Sequence, residues 1–156
     1  MKKKGKIFSL NLSKTKGAAK IPAPKAFLIE NFGLEHDAHA GGEPLRQVSL
    51  LSIESIREQK ECAKVKTTGF SLQAGDFAEN ITTEGINLAG LKIGDRLTIG
   101  RQAVLEISKI GKECHRRCSI YYKIGGCIMP REGIFAQVIK GGEISVGDEI
   151  ETNVSG

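Results

Sequence analysis

Apolar and polar residues alternate in short segments along most of the chain, which is the pattern of strands that bury one face. In the segment 6–12, one face carries Phe8, Leu10 and Leu12, and the other is largely polar. Similar segments predict strands at 26–30, 46–51, 102–110 and 134–139. The segment 14–25, rich in lysine, glycine and proline, and the segment 33–42 predict loops.

One segment has the period of a helix instead. Ser52 is a suitable N-cap because its hydroxyl can accept a hydrogen bond from the unpaired N–H groups of a first turn. Ile53, Ile56 and Ala63 then form one apolar stripe at helical spacing. The sequence therefore predicts a helix from Ile53 to about Lys64.

Glycine divides the second half of the chain into short pieces, and two of these pieces resemble each other. Gly94-Asp95 and Gly147-Asp148 each precede a predicted strand. Glycine accepts a positive φ and aspartate can bond its own backbone, so both pairs predict turns. Gly100 predicts a hairpin with the strand that follows it.

Many short strands with turn signals between them are typical of a closed or nearly closed β-barrel. Gly141-Gly142 is expected to turn the strand at 134–139 back toward the last strand. No linker divides the 156 residues, so we predict a single domain. Its core spans about residues 6–151, and residues 1–5 and 152–156 are expected to be flexible.

The formal net charge of +5 is unevenly distributed. The first 25 residues contain eight lysines and no acid, while the other 131 contain 15 bases and 18 acids, a net charge of −3. A duplex-binding protein spreads its cations over one folded face, and the scarcity of aromatic residues disfavours single-strand binding. We therefore expect no nucleic-acid partner, and a nucleic-acid adaptor driven by the lysine-rich start is kept only as a competing hypothesis.

No export or membrane signal is visible in the sequence. The apolar stretch 7–10 is too short for the core of a signal peptide, and no run approaches the ~18 apolar residues of a membrane span. We expect a cytoplasmic protein with no membrane partner, whose thiols stay reduced. The cysteines are then free thiols or ligands: Cys62, Cys114, Cys118 and Cys127.

Two of the three histidines lie in the predicted loop at 33–42. His36 and His39 flank Asp37, and Arg46 follows. Two imidazoles and a carboxylate can ligate a metal, whereas imidazoles together with a guanidinium can bind a phosphate. A merely structural or solvated loop is the third interpretation of the same residues.

Glu79 and Asn80 interrupt a predicted strand that continues through Ile81. Polar side chains inside a strand either form hydrogen bonds within the protein or contact a ligand. The sequence leaves both alternatives open.

Cys114 and Cys118 lie in a cationic stretch of the chain. The nearby cations, which would stabilise a thiolate, are Lys112, Arg116 and Arg117. A thiolate is both a nucleophile and a soft metal ligand. With His115 and Cys127 the same thiols could hold zinc or an iron–sulfur cluster, although their spacing is not the tight Cys-x₂-Cys pair of structural zinc sites. Inert buried thiols are the third interpretation of these cysteines.

These segments together resemble the MOSC domain, the module found at the C-terminus of molybdenum cofactor sulfurases and as stand-alone bacterial proteins. The resemblance covers about residues 6–151. It rests on motifs in a fixed order, at 33–41, 46–50, 77–85 and 91–97, followed by a cysteine just after the strand at 104–110.

The resemblance implies a mostly β fold, a MOSC-type β-barrel with a few short helices. It also implies one functional cysteine, matched best by Cys114 as catalytic residue and metal ligand. Members carry sulfur as a cysteine persulfide or bind the molybdenum cofactor (molybdopterin). The cofactor-binding residues would be His36, Asp37, His39, Arg46, Glu79, Asn80, Lys112, Arg116 and Arg117.

The chain departs from the sulfurases because it lacks their pyridoxal-phosphate-dependent desulfurase domain. We therefore expect no pyridoxal phosphate in this chain. A sulfurtransferase-like role would need a cysteine desulfurase or another enzyme of molybdenum-cofactor biosynthesis as partner, and Cys118 would serve as resolving thiol. The alternative is a small structural zinc domain without catalysis, built from Cys114, Cys118, Cys127 and His115.

Overall fold

The computed structural model describes residues 2–15, 20–38, 40–42, 44–59, 74, 79–110 and 133–153. The described strands are β1 (Lys2–Leu12), β2 (Ile21–Ala23), β3 (Lys25–Ile29), β4 (Gly33–Leu34), β5 (Val48–Ser52), β6 (Ile81–Glu84), β7 (Arg96–Ile99), β8 (Ala103–Ile110), β9 (Ile134–Lys140), β10 (Gly142–Ser145) and β11 (Glu149–Asn153). The helices are α1 (Ile53–Gln59) and two 3₁₀ turns, Pro44–Arg46 and Leu88–Gly90.

Seven strands form a closed barrel in the order β1-β11-β7-β8-β9-β5-β6, and β6 pairs back onto β1. The pairs are antiparallel except for β5 and β6, which are parallel. A parallel pair needs a crossover connection, and α1 begins this crossover directly after β5. The predicted mostly β barrel with a few short helices is confirmed.

The barrel interior is filled by aliphatic side chains from alternate positions of the strands. In β7 the interior residues are Leu97 and Ile99, and in β8 they include Leu105 and Ile107, all at most 1% exposed. Full burial of one such side chain contributes roughly 1.5–3 kcal/mol. In β7 and β8 the alternation that predicted the strands is therefore also the pattern that builds the core. In β1 the predicted face is interrupted: Ile7 is 1% exposed and Phe8 is 38% exposed, because the register shifts between Ile7 and Ser9.

A smaller sheet of three strands, in the order β10-β3-β4, stands beside the barrel. β10 pairs with β3, placing Glu143 opposite Phe27, whereas β11 pairs with β1 and β7. The expectation that Gly141-Gly142 turns the chain back toward the last strand is therefore wrong. A side chain at Gly141 would collide with the carbonyl of Leu28, so glycine lets the chain pass close to β3.

The two ends of the chain meet in the barrel wall. β1 begins at Lys2, which pairs with Asn153 of β11, and the pairing continues to Lys6 opposite Glu149. The sequence pattern left residues 1–5 and 152–156 outside the core, but 2–5 and 152–153 extend this pair. Strand pairing needs only backbone N–H and C=O groups, so a lysine-rich extension of a strand is invisible to apolar periodicity.

The predicted cap of α1 is present. The Ser52 hydroxyl accepts a hydrogen bond from the backbone N–H of Ser55 at 3.1 Å, and Ile53 and Ile56 are buried as expected. The rest of the predicted helix, toward Lys64, lies outside the described residues. None of the described helices is long and apolar enough to cross a membrane.

Both predicted Gly-Asp turns are also present, and their geometry is the same. Gly94 and Gly147 have φ angles of 98° and 94°, a region that favours glycine. In each turn the aspartate Oδ2 accepts a hydrogen bond of 2.8 Å from the backbone N–H three residues earlier. Gly100 likewise ends β7 at the hairpin with β8.

Candidate functional site

A band of buried polar residues covers part of the outer face of the barrel. Side chains alternate between the two faces of a strand, and Leu10, Leu50 and Ile81 belong to the interior core. Their polar neighbours therefore lie on the outer face, where they are nevertheless buried: Asn11, Ser49 and Thr82.

An ion pair lies at the end of β1, next to this band. The ammonium of Lys20 is 2.9 Å from Asp37 Oδ1, and the two side chains are 1% and 0% exposed. The same Oδ1 accepts a hydrogen bond of 3.0 Å from the backbone N–H of Ser13, whose hydroxyl accepts one of 3.2 Å from Lys20. The pair thus connects the segment after β1 with the segment after β4.

Burial alone would raise the pKa of Asp37. The hydrogen bonds from Lys20 and Ser13, the positive charge of Lys20 and a hydrogen bond from Asn80 outweigh burial, and the pKa lies below its usual value. Asp37 is therefore a carboxylate at neutral pH, and Lys20 balances its charge inside the protein.

Asn80, just before β6, joins three segments of the chain. Its side-chain oxygen accepts hydrogen bonds from the Ser49 N–H and hydroxyl at 3.0 and 3.1 Å. Its side-chain nitrogen donates to the backbone carbonyl of Asn11 at 3.3 Å and to Asp37. An amide side chain has two donors and two acceptor directions, and these four contacts use them all.

Glu79 is fully buried beside Asn80. Its Oε2 accepts a hydrogen bond of 2.7 Å from the Thr82 hydroxyl. Asn11 donates to that hydroxyl at 3.0 Å and to the backbone carbonyl of Glu79 at 3.2 Å. The described contacts of Glu79 are hydrogen bonds within the protein. This is one of the two alternatives that the sequence left open for the polar residues in this strand.

The two other described candidates, His36 and Arg46, have contacts with residues outside this network. The His36 side chain is 83% exposed, 3.2 Å from the Glu35 carboxylate, on a backbone with φ of 68°. The Arg46 guanidinium lies over the Phe135 ring, 5.6 Å from its centre. The structure therefore brings Asp37 and Asn80 together and directs His36 into solvent, although His36 and Asp37 are adjacent in sequence.

The remaining candidates lie outside the described residues: His39, Lys112, Cys114, Arg116, Arg117 and Cys118, as well as the alternative zinc ligands His115 and Cys127. In the part of the chain that the structure describes, which contains no cysteine, no group of three His, Asp or Glu residues is arranged to hold a metal. The predicted roles of these residues stay predictions.

The barrel nevertheless fixes where the cysteine-bearing segment begins and ends. β8 ends at Ile110, which pairs with Ile134 at the start of β9. The segment 111–132 therefore connects two neighbouring, paired strands of the barrel. Phe135, under the Arg46 guanidinium, is the next residue and pairs with Ser49.

Sequence reasoning missed Lys20. Lys4 and Lys6, in the same lysine-rich start of the chain, have side chains that are 60% and 59% exposed, as lysine side chains usually are. Lys20 is buried. A single lysine in a lysine-rich loop carries no signal of its own, because only the folded chain shows that Asp37 lies next to it.

The family model of the MOSC domain matches residues 36–151, which is more than half of the chain. The chain belongs to the MOSC domain family. Its MOSC match begins at His36, so β1, Ser13 and Lys20, which complete the polar network, precede the matched range. No curated protein matches the sequence significantly.

Solved structures share the fold of this MOSC domain. The YuaD protein from Bacillus subtilis has a TM-score of 0.77, with 97% of each chain covered. YiiM from Geobacillus stearothermophilus has a TM-score of 0.70 over 97% of this chain and 76% of its own. YiiM from Escherichia coli has a TM-score of 0.63, with 100% of this chain and 71% of its own chain covered. Each is 20% identical to this chain, so the likeness is one of fold.

Proposed function

We propose that this MOSC domain serves molybdenum-cofactor metabolism through Cys114, which carries sulfur as a persulfide or binds the cofactor. The family match carries the proposal, because its range includes Cys114 and the cations near it in sequence. A cysteine desulfurase, or another enzyme of cofactor biosynthesis, is the proposed partner, and the cytoplasm is the proposed compartment.

The position of Arg46 supports this proposal. Arg46 lies over Phe135. Phe135 follows Ile134, the first residue of β9 after the segment that bears Cys114. A guanidinium held there favours an anion nearby, whether a thiolate, a persulfide or a phosphate. The neutral Lys20–Asp37 pair adds no net charge that would oppose such an anion.

For sulfur transfer, the Cys114 thiolate attacks the outer sulfur of a persulfide on the donor enzyme. A new S–S bond forms at Cys114, the S–S bond of the donor breaks, and the donor cysteine leaves as a thiolate. Sulfane sulfur changes carrier with no net oxidation. The Cys118 thiolate can then attack the Cys114 sulfur of the persulfide, so that a Cys114–Cys118 disulfide forms, the persulfide S–S bond breaks and the outer sulfur leaves as hydrosulfide.

The donor set also fits a bound molybdenum cofactor. Cys114 would supply the soft thiolate that such a metal prefers, and Arg46 would hold the phosphate by paired hydrogen bonds. The cofactor, when bound, supplies a redox-active metal. His36, Asp37, His39, Glu79, Asn80, Lys112, Arg116 and Arg117 stay predicted cofactor-binding residues.

The test compares the wild-type protein with Cys114→Ser and, as a matched control, Cys127→Ser. Each is incubated with a cysteine desulfurase and L-cysteine and analysed by intact mass and peptide mapping. We expect wild type and Cys127→Ser to gain about 32 Da, one sulfur atom, at Cys114. A pterin that copurifies with wild type but not with Cys114→Ser supports the cofactor-binding form instead.

If wild type and Cys114→Ser contained equal amounts of sulfur and of pterin, Cys114 would be neither the sulfur carrier nor the cofactor ligand. A wild-type protein that takes up neither sulfur nor pterin contradicts the proposal as a whole.

A further inference from the structure

We propose that Lys20 is a positioning residue of the proposed site around Arg46 and Cys114. Its buried ion pair with Asp37 fastens the loop after β4 to the end of β1. The inference rests on the proposed function, since it concerns how the site of that function is held in place. No family motif points to it, because Lys20 precedes the matched residues.

Three contacts fasten the loop to the segment after β1, and a fourth, between Lys20 and Ser13, holds Lys20 in place. Lys20 Nζ lies 2.9 Å from Asp37 Oδ1 and donates to the Ser13 hydroxyl at 3.2 Å. The Ser13 N–H donates to the same Oδ1 at 3.0 Å. The Ala38 N–H donates to the backbone carbonyl of Ser13 at 2.8 Å. Backbone and side chains of two distant segments are thus joined at one point.

Burial makes this pair different from the surface ion pairs among the residues that the structure describes. Lys4 and Glu149 lie 3.7 Å apart with side chains 60% exposed, and a pair of this kind contributes little. Lys20 and Asp37 are almost completely buried. Removing one partner of a buried pair leaves the other charge without compensation, which is strongly destabilising.

The pair is also connected to the proposed site. Asp37 accepts a hydrogen bond from Asn80, and the Asn80 side chain is held by Ser49. Ser49 pairs with Phe135, the residue under the Arg46 guanidinium. Release of Asp37 therefore loosens the contacts that lead to Arg46 and to the base of the segment bearing Cys114.

The experiment compares wild type with Lys20→Met, Asp37→Asn and the double variant, and with Lys4→Met as the matched surface control. Hydrogen exchange at the amides of Ser13 and Ala38 is measured, together with sulfur and pterin loading of the whole chain. We expect Lys20→Met to exchange these amides about 100-fold faster or more and to load about tenfold less. Exchange in the barrel strands, which requires global unfolding, should rise less than exchange at these two amides.

The double variant decides whether the pair itself is responsible. Without a buried unpaired charge it should recover much of the protection and loading that Lys20→Met loses, and Lys4→Met should match wild type. If Lys20→Met does not fold, Asp37→Asn and the double variant are compared instead.

Three results would overturn the inference: unchanged exchange at Ser13 and Ala38, faster exchange with unchanged loading, or a double variant no better than the single ones. If the wild-type protein loads neither sulfur nor pterin, the proposed function fails. The exchange rates then still decide whether Lys20 fastens the loop.

Discussion

Two neighbouring threonines of β6 have opposite surroundings at the scale of single residues. Thr82 and Thr83 are both fully buried. The Thr82 hydroxyl donates to Glu79 and accepts from Asn11. The Thr83 hydroxyl lies on the interior face with Ile81 and makes no hydrogen bond in the part of the chain that the structure describes. A buried hydroxyl without a partner keeps its cost of desolvation.

The substitutions Thr82→Val and Thr83→Val should therefore change stability in opposite directions. Thr83→Val removes an unpaired polar atom at nearly constant shape and should raise the free energy of unfolding by about 1 kcal/mol. Thr82→Val leaves Glu79 and Asn11 with unmet hydrogen bonds and should lower it by about 1–3 kcal/mol. Urea unfolding of both variants measures the difference. Changes of the same sign in both variants would contradict this account.

At the scale of elements, the sequence predicts what local chemistry determines. Alternation located the barrel strands, the Ser52 hydroxyl located the start of α1, and the two Gly-Asp pairs located turns. The short strands β2, β4 and β10 were missed. β2 and β4 have three and two residues, too few to show an alternation, and β10 pairs with β3, which is distant in sequence and leaves no local signal.

The candidate site divides in the same way. Asp37 and Asn80 stood out as polar residues in motifs, but that they contact each other and Lys20 follows only from the fold. His36, adjacent to Asp37 in sequence, has a side chain that is 83% exposed. Proximity along the chain was a poor guide to proximity in space.

The equivalent turns before β7 and β11 give a prediction at this scale. Asp95→Ala and Asp148→Ala each remove the same 2.8 Å hydrogen bond, so each should lower the free energy of unfolding by about 1 kcal/mol. Gly94→Ala and Gly147→Ala should cost about 1–3 kcal/mol each, from backbone strain alone, because an added Cβ meets nothing within 4 Å. Denaturant unfolding of the four variants checks both pairs. Clearly unequal losses within a pair would show that the two turns are not equivalent.

At the scale of the whole molecule, the lysine-rich start and the acidic remainder of the chain meet in the barrel wall. Lys4 lies 3.7 Å from Glu149 on β11, and Lys6 lies 3.3 Å from Glu84 on β6. The lysine side chains of both pairs are about 60% exposed, so each pair contributes at most about 1 kcal/mol. Closure of the barrel therefore depends on the backbone pairing of β1 with β11 more than on charge.

Deletion of residues 1–5 tests this order of importance. It removes the register pairs from Lys2 to Gly5 and leaves only Lys6 opposite Glu149. At about 1 kcal/mol for each backbone hydrogen bond, the shortened chain should lose about 3 kcal/mol or more of unfolding free energy. The control, Lys4→Gln with Lys6→Gln, removes both ion pairs and keeps the backbone, so it should cost about 2 kcal/mol or less. If the glutamine variant lost as much stability as the deletion, charge would be the main force that closes the barrel. If the deletion cost nothing, residues 1–5 would lie outside the core, as the apolar pattern alone predicts.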